Sequence, residues 1–166
     1  MRETITDWVE TLPLPEPVLV VLLAMVPIVE LRGAIPVARG IFEFSPTSAF
    51  WWSVLGNTIP VPIILWLFPP FVEWIEGKWD WLHRALVKLQ ARTRARHSGR
   101  FDRLRDLALI TFVAIPLPVT GAWSGSLAAI VFGIDKRRAI PLIFVGILIA
   151  GVVVSLFLEA LGLAVA

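Results

Sequence analysis

The sequence predicts an all-α integral membrane protein built as an inverted repeat. Each half is a re-entrant helical hairpin plus a transmembrane helix, with an amphipathic cytoplasmic helix between the halves. Three observations lead there. The 166 residues are 57% hydrophobic, and the mean hydropathy is +0.80, well beyond a soluble domain. Two apolar runs, 47–72 and 139–163, are each long enough to cross hydrocarbon with some tilt. Finally, the stretch Val26–Pro36 is echoed by Ile115–Gly125. Pro27 matches Pro116, and Gly33-Ala34 matches Gly121-Ala122 after a one-residue slip. Ala49 and Gly56 then fall opposite Ala139 and Gly146. Helix breakers placed alike in the apolar segments of two halves point to a transporter-like site near the bilayer midplane.

The elements follow from charge and length. Glu3, Asp7 and Glu10 precede the first apolar stretch, and neither a basic start nor a small-residue cleavage site marks a signal peptide. Residues 15–40 are too few for two spans, so they are expected to enter and return as a hairpin with its tip near Pro27–Gly33. The loop Ile41–Pro46 carries Glu43 and no Lys or Arg, which places it outside. The run 47–72 then crosses inward and completes a first repeat, 14–72.

Residues 73–105 form the connector. Phe71, Ile75, Trp79, Leu82, Leu86 and Leu89 recur at three- and four-residue steps, and Asp80 and Arg84 form an i,i+4 pair. Between Arg84 and Arg105 there are eight Lys or Arg against the single acid Asp102. Such a run could suggest nucleic acid, but in a membrane protein it marks the cytoplasmic side, and no nucleic-acid partner is expected. The segment reads either as a helix lying on anionic headgroups or as a solvated connector. Lys136-Arg137-Arg138 is also expected inside. With both flanks inside, 107–133 must enter and return, turning at Pro116–Gly121 where two prolines and a glycine interrupt the helix. The run 139–163 crosses outward and closes a second repeat, 106–163. Both termini are therefore expected outside a cell (plasma or inner) membrane. Eight Trp and no Tyr supply interfacial anchors, among them Trp51, Trp52, Trp74, Trp79 and Trp81.

The candidate chemistry sits at the two tips. Glu30 and Arg32 are flanked by apolar residues, and an isolated charge at mid-membrane costs on the order of 3 kcal/mol or more. Glu30 is a candidate proton-coupling group or a counter-charge for a cationic substrate. Arg32 is a candidate clamp for an anion or phosphate, because its planar fork suits that shape. A structural ion pair locking the hairpin is the competing reading. Gly33 and Pro36 belong to the same interrupted tip. Asn57 lies in the first span near Pro60 and Pro62 and is a candidate cavity-lining group. The second tip, with Pro116, Pro118, Thr120, Gly121 and Ser124, offers hydroxyls and backbone amides. A half-helix starting there would aim its positive end at the midplane. Equally, its small residues would serve close helix packing. Arg39 and Glu159 read as outer-interface residues.

The motif Glu30-Leu31-Arg32-Gly33-Ala34-Ile35-Pro36, with Ile115–Gly125, resembles the small multidrug export protein family over about residues 14–160. That resemblance implies efflux of a small solute. The layout is also similar to the DedA and VTT-domain membrane proteins, which implies lipid transport: flipping of polyprenyl phosphate or scrambling of phospholipid. Where the second hairpin of DedA proteins has an arginine near its proline, this chain has Thr120 and Gly121.

Two functions follow as expectations: a small-solute exporter with proton exchange at Glu30, or a lipid flippase or scramblase with Arg32 receiving a phosphate. A membrane scaffold is a third reading. No nucleophile–base pair, metal cluster or phosphate-binding glycine loop is visible, so no enzyme activity and no cofactor is expected. The chain has no cysteine, and His83 and His97 lack metal-ligand spacing. The expected partners are membrane lipids, the transported substrate and a second copy of the chain.

Overall fold

The computed structural model describes residues 14–75, 99–117 and 120–162. All regular elements among them are helices: α1 Glu16–Met25, α2 Glu30–Gly40, α3 Pro46–Thr58, α4 Pro60–Ile75, α5 Gly99–Ala114, α6 Ala122–Val131 and α7 Lys136–Ala160. Two stretches are long and apolar enough to cross a membrane, Pro46–Pro70 and Lys136–Ala160. At 1.5 Å per residue each measures about 37 Å, against about 30 Å of hydrocarbon. Leu67, Leu156 and Phe157 on these helices are more than half exposed, as expected where lipid rather than water is the neighbour. Most of the connector, including Trp79, Leu82, Leu86 and Leu89, lies outside the described residues. Helix α5 begins at Gly99, so the first arm of the second hairpin takes in the last residues assigned to the connector.

The chain divides into two units. One holds residues up to Asn57 together with those from Ala150 onward; the other is Thr58–Ile149. In the first unit, α1 ends where Val26 turns extended (φ −71°, ψ 128°) before Pro27, because the ring of a proline disfavours helical geometry in the residue before it. A tight turn follows, in which the Val26 carbonyl accepts from the Val29 and Glu30 amides. Helix α2 then returns beside α1. The second unit repeats the plan: α5 ends at Ala114, the tip holds Pro116, and α6 starts after Gly121.

The same packing recurs in both units, position by position. In α2 the buried stripe is Glu30, Leu31, Ala34, Ile35 and Ala38; in α6 with its cap it is Gly121, Ala122, Gly125, Ser126 and Ala129. The offset is 91 throughout. In the long helices, Ala49, Ser53, Gly56, Asn57, Pro60 and Val61 are buried, and so are Ala139, Ile143, Gly146, Ile147, Ala150 and Gly151, all at an offset of 90. The backbone agrees at one pair, Glu43 (φ 53°) and Gly133 (φ 63°), both left-handed; Glu30 (48°) and Gly121 (150°) are both at positive φ but in different regions. After each hairpin the chain is tied back by one bond, Phe44 N–H to Ala38 C=O and Ile134 N–H to Ala129 C=O, each 2.9 Å. The start of each long helix is capped by a side chain, Ser45 Oγ accepting from the Ser48 amide and Asp135 Oδ1 from the Arg137 amide. This register replaces the sequence match of Gly33 to Gly121: the glycine that opens α6 stands where α2 has Glu30.

Each spanning helix receives the first arm of its hairpin at a glycine. A Cβ at Gly56 would run into the Val21 carbonyl and come 2.8 Å from Ala24. One at Gly146 would come 2.6 Å from Val113 Cβ and 3.0 Å from the Ile110 carbonyl. The surrounding volumes compensate: Ala24 and Ala34 are buried together in the core cluster of the first unit, while in the second Val113 fills the space left by Gly125. Gly56→Ala and Gly146→Ala are therefore expected to destabilise the fold by about 1–3 kcal/mol, because the obstruction includes backbone that cannot rotate away. Gly40→Ala, which meets nothing within 4 Å, should be neutral. Thermal unfolding of the purified protein in detergent checks all three.

Candidate functional site

The buried polar residues of the first unit gather at one depth. Glu30 is 5% exposed. Its left-handed backbone, φ 48°, takes its side chain out of the regular helical series, and residues i and i+2 that would otherwise face apart are brought near. The Glu30 carboxylate and the Arg32 guanidinium lie 3.9 Å apart, with side chains 7% and 19% exposed. That is an ion pair at the edge of contact, longer than the 2.7–2.9 Å or so of a charge-assisted hydrogen bond. Pro36 sits inside α2 and supplies no N–H to the Arg32 carbonyl four residues back. Gly33 lies within α2, where a Cβ would strike Val29. Its role is room at the tip; the break itself is made by Pro27 and by the backbone of Glu30.

Helix α3 adds two groups. Ala34, Ala38 and Ala49 belong to one buried cluster with Val20 and Ala24, and the short 41–45 loop makes α2 and α3 antiparallel neighbours. Glu30 is eight residues from Ala38, and Asn57 is eight residues from Ala49. Both therefore lie about 12 Å along their helices from the cluster, at matching depth. Asn57 and, one turn earlier, Ser53 are 1% and 0% exposed. Asn57 Oδ1 and Ser53 Oγ have no hydrogen-bond partner among the described residues. Sequence reasoning named Asn57 and passed over Ser53; the i,i+4 spacing of two polar residues in an apolar helix was the available signal.

The second unit uses its polar atoms differently. The Thr120 hydroxyl donates to the Ile115 and Leu117 carbonyls at 2.5 and 3.1 Å and accepts from the Leu117 amide at 3.2 Å. It staples the tip around Pro116. Ser124 Oγ reaches the Gly121 carbonyl at 3.5 Å, and Ser126 Oγ donates to the Ala122 carbonyl at 2.7 Å. Gly121 caps α6 with a backbone that no other residue adopts readily (φ 150°, ψ −163°). Pro118 lies outside the described residues. At register positions equivalent to Glu30, Arg32, Ser53 and Asn57 stand Gly121, Trp123, Ile143 and Ile147, so among the described residues this polar set has no counterpart in the second unit.

Two further clusters appear. In the first unit, Arg39, Ser155 and Glu159 line a cavity of about 10 Å³ with Ile35, Pro46 and Leu158, room for about one water molecule. Arg39 and Glu159, read separately from sequence as interfacial, thus share one small site. In the second unit, Arg138 pairs with Asp106, which is 9% exposed. No group of three His, Cys, Asp or Glu able to hold a metal occurs among the described residues.

Two apolar helices of spanning length in an all-helical chain fit a helical membrane protein. The family model described as "Putative small multi-drug export protein" matches residues 30–153, most of the chain, and the chain belongs to that family. No curated protein and no solved structure matches it.

Ser53→Ala is expected to raise stability by up to about 1 kcal/mol, because it removes a buried hydroxyl that has no partner among the described residues. The melting temperature in detergent measures this; a clear fall would mean that the hydroxyl is bonded in the folded protein.

Proposed function

We propose that the chain exports a small solute and that Glu30 exchanges a proton during the cycle. One observation carries the reading: a carboxylate held buried, in a left-handed backbone, against a guanidinium 3.9 Å away. A glutamate at positive φ is costly, by about 1–3 kcal/mol, and such strain concentrates at functional sites. A carboxylate and a guanidinium at this separation can be drawn apart by a cationic solute or by a proton arriving at the acid, which is the minimum needed for exchange. The family's description as an export protein supports the same direction. Asn57 Oδ1 and Ser53 Oγ, without partners among the described residues, supply acceptors at the same depth.

The matching offsets of the two units support an inverted-repeat arrangement, with both hairpins re-entrant, both termini outside and 84–105 inside. A chain with two spans has little protein to surround a pathway, and in this reading a second copy completes it. Thiol labelling tests the topology, since the chain has no native cysteine. Glu43→Cys should react with an impermeant reagent added outside intact cells, and Arg137→Cys only after permeabilisation. Labelling of both from the same side would exclude the arrangement.

The transport reading is tested in proteoliposomes with an imposed pH gradient, ethidium as the solute and an internal pH dye. Wild type should couple ethidium movement to proton flux. Glu30→Gln should lose the coupling by tenfold or more on the order-of-magnitude scale of a lost essential proton carrier, with its melting temperature preserved. Unaltered coupling in Glu30→Gln would refute the role of this residue. Movement of labelled phospholipid without any gradient, abolished by Arg32→Ala, would replace the exporter with the lipid-flipping alternative.

A further inference from the structure

Ser53 and Asn57 stand four residues apart on α3, so their side chains share one face of the helix. Both are fully buried. Ser53 Oγ and Asn57 Oδ1 have no hydrogen-bond partner among the described residues. A polar atom buried in this way costs stability and marks the place of a water, an ion or a ligand. Packing does not require the polarity. The equivalent positions in the second unit hold Ile143 and Ile147, both fully buried, so the same scaffold closes over apolar side chains there. Nor does the element lying on this face bring a donor. Gly56, on the same face, meets the Val21 carbonyl and Ala24 of α1, and α1 carries no polar side chain after Glu16.

We propose that Ser53 and Asn57 receive the N–H groups of the exported solute, which makes a primary or secondary ammonium the solute class. The atoms decide the chemistry. Asn57 Oδ1 can only accept, and the Ser53 hydroxyl accepts as well as donates. An ammonium N–H satisfies both oxygens, and its charge strengthens the bonds. A quaternary cation of the same charge has no N–H and leaves both atoms unbonded. The choice of a cation rests on the export reading, in which the solute's charge draws Glu30 from Arg32. The N–H requirement rests on α3 alone. Because α1 lies over this face, the solute meets the pair only as the first hairpin lifts from α3, and recognition is then coupled to opening.

Equilibrium binding to the purified full-length protein in detergent tests the proposal, with benzylammonium and benzyltrimethylammonium as probes. The two share a ring and a charge and differ in their N–H groups. Wild type should bind benzylammonium about tenfold more tightly, the factor that one hydrogen bond to a charged group is worth. Asn57→Leu should abolish that preference with its melting temperature preserved. Leucine is close to asparagine in size, so the loss would not come from space. If that variant fails to fold, Ser53→Ala, which removes a single oxygen, should narrow the same preference. Equal affinity of wild type for the two probes, the outcome of a pair satisfied by trapped water, would overturn the proposal. So would no binding of benzylammonium, or an unchanged preference in both variants. Failure of the export reading looks different: proton coupling is unaltered in Glu30→Gln while the preference for N–H groups stands.

Discussion

Both units depend on a helix crossing so close that only a glycine fits under it. Where α1 passes α3 the backbone of Val21 lies over Gly56, and where α5 passes α7 the backbone of Ile110 lies over Gly146. Lipid tails are as apolar as leucine, so hydrophobic burial gives two helices in a bilayer little reason to associate; small residues and close van der Waals packing do. A hairpin arm of ten residues such as α1 is too short to span hydrocarbon by itself. Its place is set by the helix it leans on. The caps, the tie-back bonds and the buried stripes of α2 and α6 all follow from docking that arm at a glycine.

Much of this was legible in the chain. Pro27 and Pro116 mark the tips, and the matched pairs Ala49 and Ala139, Gly56 and Gly146 are all buried. The register of the returning arms was not legible. Matching glycine to glycine paired Gly33 with Gly121, but identical residues do different work there. Gly33 makes room for Val29, whereas Gly121 supplies a positive φ. The residue at the corresponding position is Glu30, also at positive φ but in the left-handed region (48° against 150°), where composition gives no reason to place a glutamate. The second tip is longer than the first by two residues, which shifts the offset from 89 in the first arms to 91 in the second. A slip of that size is invisible until burial is known.

The site shows the same mixture. A glutamate and an arginine in an apolar stretch announce themselves, because their desolvation cost is large. Thr120 and Ser124 are candidate ligands from sequence, and both hydroxyls also contact nearby carbonyls, a local use of serine and threonine that sequence does not distinguish from binding. Ser53 was the reverse case: an ordinary residue in an apolar helix, made informative by complete burial without a partner among the described residues.

The complementary volumes at the two crossings bear on how such a scaffold can be rebuilt. Ala24 and Ala34 in one copy, Val113 and Gly125 in the other, fill equivalent space by opposite choices. An arm transplanted alone would bring valine against alanine or alanine against glycine, an overlap in one direction and a void in the other. Recombination between the halves is therefore quantised: whole hairpins are the exchangeable modules, and any crossover inside one carries a mismatch that a second substitution must absorb.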